Sequence, residues 1–356
     1  MRDMRNGCSY YSSLRHANGE IDMQYFFGFL NCASRMVKHI LLATLIGLLT
    51  ISSVTAATFP AKPLRIIVPA AAGGNLDLVT RNLAQQLSEQ LGKPVVVENK
   101  PGGSYKVAVD AVKNNPPDGY TYLAIADSFL YAPLISKASN FQPLKDFAPV
   151  SIFATVPQIL VVQSSMNIHT VKELIALARQ KPGELNYGSA GVGTTGHLAG
   201  ALFNSQAGIT MTHVPYKGNA PALIDLVGGR LSLIFDTIST SLPLIKSNSI
   251  KPLAVTSLKR SVLLPDVPTV DDSGLPGYEA AIFNGLVAPV GVPPEILTRM
   301  NNEIRKAVQN HEMAARLREQ GIELTSSGST SDFAGFLQLQ SDKYAKIIQS
   351  AKIKAD

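Results

Sequence analysis

The sequence predicts an α/β protein whose sheets are mainly parallel. Short apolar runs alternate along the chain with stretches in which apolar residues recur at three- and four-residue steps, and this alternation is typical of parallel sheets covered by helices. The 356 residues are 46% hydrophobic and 16% charged, which supports one large or two medium domains with buried cores and excludes a disordered chain. The 27 Gly and 22 Pro follow no three-residue period, so a collagen-like chain is excluded too.

An export signal is predicted ahead of the first folded element. Lys38 and His39 precede an apolar run over residues 40–51, and small residues follow at 52–57. This order of basic, apolar and small residues is that of a secretory signal peptide, placed here over residues 36–57. A membrane anchor is the alternative, but a helix of this run would extend only about 18 Å, whereas a bilayer core is about 30 Å thick.

The chain before the signal is interpreted as an upstream misread start. Met36 stands just before the basic residues of the signal, so residues 1–35 are not expected to form a folded element. Both cysteines, Cys8 and Cys32, lie in that part. The mature chain is expected to begin near Thr58 and to contain no thiol, so its export requires no oxidative folding.

The first part of the mature chain predicts a strand, a helix and two further strands. Residues 64–68 form a buried strand, and a Pro-Ala-Gly loop leads from it into a helix that Gly92 and Pro94 end. Two more strands are predicted over residues 95–97 and 121–125. The apolar stripe of the helix consists of Leu76, Val79, Leu83, Leu87 and Leu91.

Later segments repeat this order of elements. Thr170 and Glu173 form a capping box that begins a helix, and Pro294 lies in the first turn of another, where proline is tolerated. A long C-terminal helix is predicted from about Ser331. The further strands are predicted over residues 158–162, 185–188, 212–215, 231–235, 252–255 and 285–289.

The sequence lacks the residues that several kinds of function require. The net charge is +6, but Lys and Arg are scattered and form no basic run, so no nucleic-acid partner is expected. His169, His197, His213 and His311 have no metal-ligand spacing, and neither a metal site nor a cofactor is predicted. Because a G-x-S-x-G motif and a Walker A loop are also missing, the chain is not expected to be an enzyme.

A glycine motif over residues 191–196 fits G-x-G-x-x-G between a predicted strand and a predicted helix. A dinucleotide site would need an acidic residue about 20 positions later to bind the ribose, and residues 210–217 contain none. The motif still provides a helix N-terminus whose amides and Thr hydroxyls attract an anion. Packing or capping is the alternative role of His197. The candidate ligand-binding residues of this loop are Ser189, Ala190, Gly193, Thr194, Thr195 and His197.

Three other strand ends carry candidates. Asn75 is expected to cap the helix after the first strand, with Asp77 in its first turn. Asp127 and Ser128 follow the third strand, and Asp236 ends a later one, where open α/β sheets place ligand contacts. A structural turn or an ordinary helix cap is the alternative for each. The loop before Asn75 adds Ala72, Gly73 and Gly74 as candidates.

Loops of this kind suit the capture of a small anion without its transformation. In type II periplasmic receptors two α/β lobes close over a ligand, so donors from both lobes reach it and water is expelled. Backbone dipoles then hold a carboxylate without a basic side chain.

A set of motifs runs in a single order across nearly all of residues 60–290. On these motifs the chain resembles the solute receptors of the tripartite tricarboxylate transporters, the Bug family. They are Pro63-Leu64-Arg65-Ile66-Ile67-Val68-Pro69, Glu98-Asn99-Lys100-Pro101-Gly102, Pro117-Asp118-Gly119-Tyr120-Thr121, Tyr187-Gly188-Ser189-Ala190-Gly191, Val214-Pro215-Tyr216-Lys217-Gly218 and Leu264-Pro265-Asp266-Val267-Pro268-Thr269.

The resemblance implies a two-lobed type II periplasmic binding protein, a Venus flytrap, in which the chain crosses between the lobes twice. Lobe one would comprise residues 58–155 and 284–356, and lobe two residues 156–283. A small carboxylate would be held between the three loops already described, with Asp236 at the cleft.

The function implied is that of an extracytoplasmic receptor. It would act in the periplasm as a monomer and deliver its carboxylate to a membrane permease of one large and one small subunit. Two alternatives stay open: a ligand-sensing receptor for a signalling partner, and an exported nucleotide-binding or hydrolytic enzyme.

The sequence departs from the family's usual pattern in its loops. Ala70 and Ala72 stand where the family is usually aromatic and contains proline, and Leu76 replaces a small or polar residue. Ser104 and Tyr105 interrupt a stretch that is usually glycine-rich. These departures bear on the identity of the ligand more than on the fold.

Overall fold

A computed structural model of the chain describes residues 59–354. The predicted signal over residues 36–57, the segment 1–35 and both cysteines lie outside the described residues. Within the described part, none of the helices has the length and apolar character needed to cross a membrane.

The described chain contains eleven helices and eleven strands. The helices are α1 (Asn75–Leu91), α2 (Lys106–Lys113), α3 (Ser128–Ile135), α4 (Pro143–Asp146), α5 (Val171–Gln180), α6 (Thr195–Ala207), α7 (Asn219–Val227), α8 (Ile238–Lys246), α9 (Pro294–Ala307), α10 (His311–Arg318) and α11 (Thr330–Ala351). The strands are β1 (Leu64–Val68), β2 (Val95–Asn99), β3 (Thr121–Ala126), β4 (Phe147–Val156), β5 (Gln158–Gln163), β6 (Asn186–Ser189), β7 (Thr212–Pro215), β8 (Leu233–Thr237), β9 (Ile250–Val255), β10 (Ile282–Pro289) and β11 (Glu323–Leu324).

These strands form two sheets. The first has six strands in the order β11-β4-β10-β3-β1-β2, and the second has five in the order β7-β6-β8-β5-β9. The first sheet therefore draws its strands from both ends of the described chain, and the second from the middle. The α/β fold with two sheets agrees with the fold class predicted from the sequence.

The sheets are mixed, however, and the expectation that they are mainly parallel is wrong. Four strand pairings are parallel and five are antiparallel. The parallel pairs belong to strands joined through helices, as a parallel connection requires. β5 and β10 instead arrive from the other sheet without a crossover helix, so each enters at the edge where its neighbours end and runs back along them.

The chain passes from one sheet to the other twice, between β4 and β5 and between β9 and β10. These two passages lie at the sheet edges where the ligand loops are expected. β4 ends at Val156 and β5 begins at Gln158, opposite Thr237 at the end of β8. The return strand β10 begins at Ile282, which is opposite Val156. Both passages thus lie at the carboxyl edges of the sheets, where α/β folds place their ligand loops.

Helix signals in the sequence correspond well to the structure. In α1 the side chains of Leu76, Val79, Leu83 and Leu87 are buried, and Gly92 ends the helix with a φ of 62°, a left-handed conformation that favours glycine. The predicted cap of α5 by Thr170, the proline in the first turn of α9 and the C-terminal helix α11 are also present.

The sequence patterns did not predict three elements that contain proline, β4, α3 and α8. β4 carries Pro149 in a part of the strand that β11 does not reach, since β11 pairs only with Ala154 and Thr155. A proline needs no amide donor on such an open side. Helices α3 and α8 likewise contain Pro133 and Pro243, residues that normally indicate a helix end.

A single apolar cluster connects the layers of the two sheets. It includes Phe129 of α3, Phe203 of α6 and Tyr344 of α11, all buried. Tyr278 lies before β10 in the chain, and its hydroxyl donates to the carbonyl of Ala199 in α6 at 2.9 Å. The C-terminal helix α11 therefore packs in the same core as α6 of the second sheet.

Candidate ligand-binding site

The predicted site residues all follow strands at the carboxyl edges next to the two passages. The loop over residues 69–74 comes after β1, Asp127 comes after β3, Ser189 ends β6 and Asp236 lies near the end of β8. Because β1 is paired with β3 and β6 with β8, the candidates form one group in each sheet.

In the first loop a carboxylate fixes the backbone. The amide of Gly73, whose φ is 83°, donates to Asp77 at 2.9 Å, and Arg81 and the amide of the Asn99 side chain also donate to Asp77 at 3.0 and 2.8 Å. Asn99 reaches the carbonyl of Ala70 as well, at 3.0 Å. Burial alone would raise the pKa of Asp77, but these hydrogen bonds hold it below its usual value.

The helix after this loop begins differently from the expectation. Gly74 is the N-cap of α1 and Asn75 is its first residue, so Asn75 does not cap it. Asn75 is exposed, like Ala72. Within residues 59–354 the amides of Asn75 and Leu76 have no hydrogen-bond partner, as expected of a first helical turn. This end of α1 consequently offers donors to an anion.

Asp127 connects the two sheets. Its Oδ2 accepts a hydrogen bond from the hydroxyl of Thr195, the first residue of α6, at 2.8 Å. The hydroxyls of Tyr131 and Tyr344 donate to the same oxygen at 3.2 and 3.4 Å. The side chain is only 2% exposed, and burial raises the pKa of Asp127 to about 6 although the hydrogen bonds from Thr195 and Tyr131 favour the ionised form.

The hydroxyl of Tyr105 is hydrogen-bonded to the donors on either side of Asp127 in the chain, Ala126 and Ser128. Its hydroxyl lies 3.0 Å from the Ser128 hydroxyl and accepts from the Ala126 amide at 3.2 Å. Tyr105 adopts a φ of 75°, which is uncommon for a bulky residue and is kept only where packing enforces it. The ring packs on Phe129 with a centroid distance of 5.7 Å, so Ser128 is already engaged within the protein.

In the glycine loop several predicted donors have internal partners. The Gly193 amide donates to Nδ1 of His197 at 3.1 Å, and the Thr194 amide donates to the Gly191 carbonyl at 3.2 Å. The buried Ser189 hydroxyl lies 2.9 Å from the same carbonyl. In the described chain the amides of Thr195 and the following glycine have no partner, so these remain for an anion.

Two stacked imidazoles support this loop. The rings of His197 and His213 are parallel within 6°, with centroids 3.7 Å apart, and Nε2 of His213 lies 2.7 Å from the Ser189 hydroxyl. Burial lowers the pKa of His197 to about 4, and burial with the nearby His197 lowers that of His213 to about 3. Both rings are therefore neutral near pH 7 and hold the loop in place.

Asp236 is fully buried and satisfied within its own sheet. It accepts hydrogen bonds from Asn219 at 2.5 Å, Thr240 at 2.6 Å and Ser241 at 2.7 Å. Burial raises its pKa in spite of these donors. Thr237, and not Asp236, is the N-cap of α8, so the alternative of an ordinary helix cap is not met. Asp236 adjoins the start of α6, because a Cβ added at Gly196 would come within 2.7 Å of the Phe235 carbonyl oxygen.

The structure thus brings Asp127 and Ser128 together with Thr195 and the glycine loop, whereas Asp77 and Asp236 have their hydrogen bonds within their own sheets. Several partners were not predicted. The sequence did mark Tyr105 as unusual, since it interrupts a stretch expected to be glycine-rich. Nothing in the sequence points to Tyr344, because 217 residues separate it from Asp127. The other unpredicted partners are Asn99, Tyr131, His213 and Asn219.

Comparison with known proteins identifies related sequences. A model described as the tripartite tricarboxylate transporter family receptor matches residues 79–353. A protein from the tcbD-tcbE intergenic region of Pseudomonas sp. (strain P51) is 34% identical over 304 residues, which cover 84% of this chain and 89% of that protein. Protein BugT of Bordetella pertussis is 33% identical over 306 residues, covering 85% and 93%.

Solved structures show the same fold. A structure from R. palustris with adipate is 36% identical, with a TM-score of 0.69 over 83% of this chain and 99% of that one. A TctC solute-binding protein from Polaromonas is 27% identical, with a TM-score of 0.74 over 82% and 100%. MatC from Rhodopseudomonas palustris with bound malate is 26% identical, with a TM-score of 0.65 over 82% and 100%. The predicted two-lobed binding-protein fold is confirmed.

Proposed function

The chain belongs to the tripartite tricarboxylate transporter receptor family, and from this membership we propose that it is a periplasmic solute receptor that captures a small carboxylate between two lobes. It delivers the carboxylate to a membrane permease of one large and one small subunit, and it acts as a monomer without catalysing a reaction. The observation that carries the proposal is the Asp127–Thr195 hydrogen bond, which joins the ligand loops of the two sheets.

The lobes of this proposal follow the two sheets. Lobe one consists of residues 58–155 and 284–356, and lobe two of residues 156–283. The division falls at the two passages between the sheets, around Pro157 and in the segment between β9 and β10. Since both passages lie at the carboxyl edges, rotation about them opens and closes the space between the ligand loops.

Carboxylate ligands are supported by the relatives. The R. palustris relative was solved with adipate and MatC with malate. In the described residues the amides of Asn75 and Leu76 on lobe one, and of Thr195 and the following glycine on lobe two, are among the donors without a partner inside the protein. Helix N-termini bind anions through such amides and through the helix dipole.

A substitution at Asn75 tests this assignment directly. Asn75→Pro removes one amide donor at the first position of α1, where proline is tolerated, and Gly74 already has the extended conformation that precedes proline (φ −73°, ψ 166°). Asn75→Ala removes the side chain and keeps the amide. We expect Asn75→Pro to weaken acid binding at least tenfold and Asn75→Ala to leave it within about twofold.

The ligand itself is found by denaturing the purified protein and identifying the released acid by mass spectrometry. The acid should then raise the melting temperature of the refolded protein, with about 2.7 kcal/mol of added stability at one hundred times its dissociation constant. A broad library of small acids that gives no shift in melting temperature would contradict the proposed function.

A further inference from the structure

The end of β3 forms one wall of the proposed site, and this wall presents hydrogen-bond acceptors rather than donors. Asp127 is nine-tenths or more buried, and the three hydroxyl donors that reach it all bind Oδ2. None of the ion pairs within residues 59–354 includes Asp127. Neutral donors, the three hydroxyls and the Ser128 amide, thus hold a carboxylate at the point where the two sheets meet.

Most donors that would bind a ligand carboxylate at this wall are already engaged within the protein. The Ser128 hydroxyl and the Ala126 amide both interact with the hydroxyl of Tyr105. Lys343 is the cation whose charge acts on Asp127, but its amino group donates to the carbonyl of Glu279 and lies 4.0 Å from the Glu279 carboxylate. The end of β3 is consequently negative, and the donor that it keeps is the one hydroxyl proton left over by the Tyr105–Ser128 pair.

Two buried amide oxygens add to the acceptors. Oδ1 of Asn284 and Oε1 of Gln158 have no hydrogen-bond partner in the described chain, although both side chains are buried. Asn284 pairs with Ala126, the residue before Asp127, and Gln158 begins β5 at the passage between the sheets. Buried polar atoms normally have partners, so both oxygens can still accept a hydrogen bond.

The carboxylate of Asp127 lies against the start of α6, and it changes which ligand groups the glycine loop attracts. An anion at a helix N-terminus satisfies the positive end of the helix dipole, and Asp127 already occupies that position through Thr195. A second carboxylate close to it would be repelled in a site of low dielectric. The N-terminus of α1, which has no such internal anion, is the end of the site that remains for the carboxylate of the ligand.

We propose that Asp127 determines specificity and selects an acid that carries a protonated amine, or an equivalent cationic hydrogen-bond donor, at the end opposite its carboxylate. This inference rests on the proposed function. The carboxylate of the ligand binds the amides of Asn75 and Leu76, and its ammonium group binds Asp127 and the amide oxygens of Gln158 and Asn284. A straight-chain diacid fits the same space less well, because its second carboxylate meets Asp127.

Matched pairs of acids test the proposal by calorimetry at pH 7.5. The pairs are succinate and 4-aminobutanoate, glutarate and 5-aminopentanoate, and adipate and 6-aminohexanoate. We expect the wild type to bind the amino acid of the best pair at least tenfold more tightly than the diacid, and Asp127→Asn to reduce that ratio at least tenfold. Asp110→Asn, which removes the same charge from the partly exposed face of α2, should keep the wild-type ratio.

The outcomes are distinguishable. Binding of a diacid as tightly as its amino partner by the wild type, or an unchanged ratio in Asp127→Asn, would overturn this inference and leave the receptor function intact. No binding of any acid by any of the three proteins would overturn the proposed function and the inference with it. If Asp127→Asn does not fold, the wild type is measured at pH 5, where protonated Asp127 should lower the ratio; an unchanged ratio would again overturn the inference.

Discussion

Three carboxylates near the predicted site have the same chemistry but different surroundings. Asp77 is paired with Arg81 and its pKa is lowered, whereas Asp127 and Asp236 are held by neutral donors and their pKa values are raised. A cation compensates the cost of burying a charge, and hydroxyl groups do so only in part. At the residue scale, Asp127 is therefore an acid whose charge state changes near pH 6.

A stability measurement across pH checks the state of Asp127. Its pKa rises from 3.8 to about 6 on folding, so between these values the folded protein binds more protons than the unfolded chain, and stability falls as the pH rises. Relative to Asp127→Asn, the free energy of unfolding of the wild type should decrease by about 2 kcal/mol from pH 4 to pH 7.

The comparison with Asp127→Asn isolates this carboxyl group. The lowered pKa values of His197 and His213 make the protein less stable as the pH falls, but this contribution is common to both proteins. Urea denaturation at several pH values gives the difference. A constant difference in unfolding free energy between pH 4 and pH 7 would show that Asp127 titrates normally.

At the element scale, the start of α6 is placed by close contact with α3. Gly193 has a φ of 76°, and a Cβ added there would overlap Cδ1 of Ile135 in α3. The loop before α6 therefore approaches α3 so closely that a side chain at this position would have to displace Ile135. This contact lies beside the Asp127–Thr195 hydrogen bond and fixes the same two helices relative to each other.

Alanine substitutions separate backbone strain from steric overlap in this contact. Gly193→Ala combines both effects, whereas Gly208→Ala at the end of α6 has a similar φ of 61° and no atom within 4 Å of the added Cβ. We expect Gly208→Ala to cost about 1 kcal/mol of stability and Gly193→Ala about 2 kcal/mol more. Urea denaturation measures both, and equal losses would contradict the close packing of α6 on α3.

At the scale of the whole molecule, one side chain ties the two passages between the sheets together. The Thr256 hydroxyl lies 3.1 Å from the Gln158 carbonyl and 2.9 Å from the Ala280 carbonyl, and it accepts from the Gln158 amide at 3.1 Å. Thr256 is fully buried. All three residues lie in the proposed lobe two, so these hydrogen bonds hold its two points of connection to lobe one in place relative to each other.

Substitution of Thr256 tests the role of these passages. Thr256→Val keeps the shape but leaves the Gln158 amide without its partner, so we expect a loss of about 1 to 3 kcal/mol and a larger radius of gyration in the protein without ligand, measured by small-angle X-ray scattering. Thr256→Ser keeps the hydroxyl and should behave like the wild type in scattering. Identical scattering of the valine and serine variants would contradict this role.

Local signals predicted much of the fold. The stripe of α1, its glycine end and the strand over residues 64–68 depend on neighbours in sequence, and the structure has all three as predicted. Strand direction was not predictable in the same way, since β5 and β10 run antiparallel because of where the chain arrives from. β4 was missed because Pro149 suggests a break, and only its place in the sheet makes that proline acceptable.

The sequence by itself determined the α/β class, the family and the glycine-rich strand ends where a ligand is expected, because each depends on residues close together in the chain. Only the tertiary structure decided which of those groups are free. The amides of Gly193 and Thr194 bind within their own loop, Tyr105 takes the Ser128 hydroxyl, and Asp127 meets Thr195 and Tyr344. The partners of Gly193 and Thr194 are near in sequence but depend on the conformation of the loop. Those of Ser128 and Asp127 lie farther apart in the chain, and only folding brings them within hydrogen-bond distance.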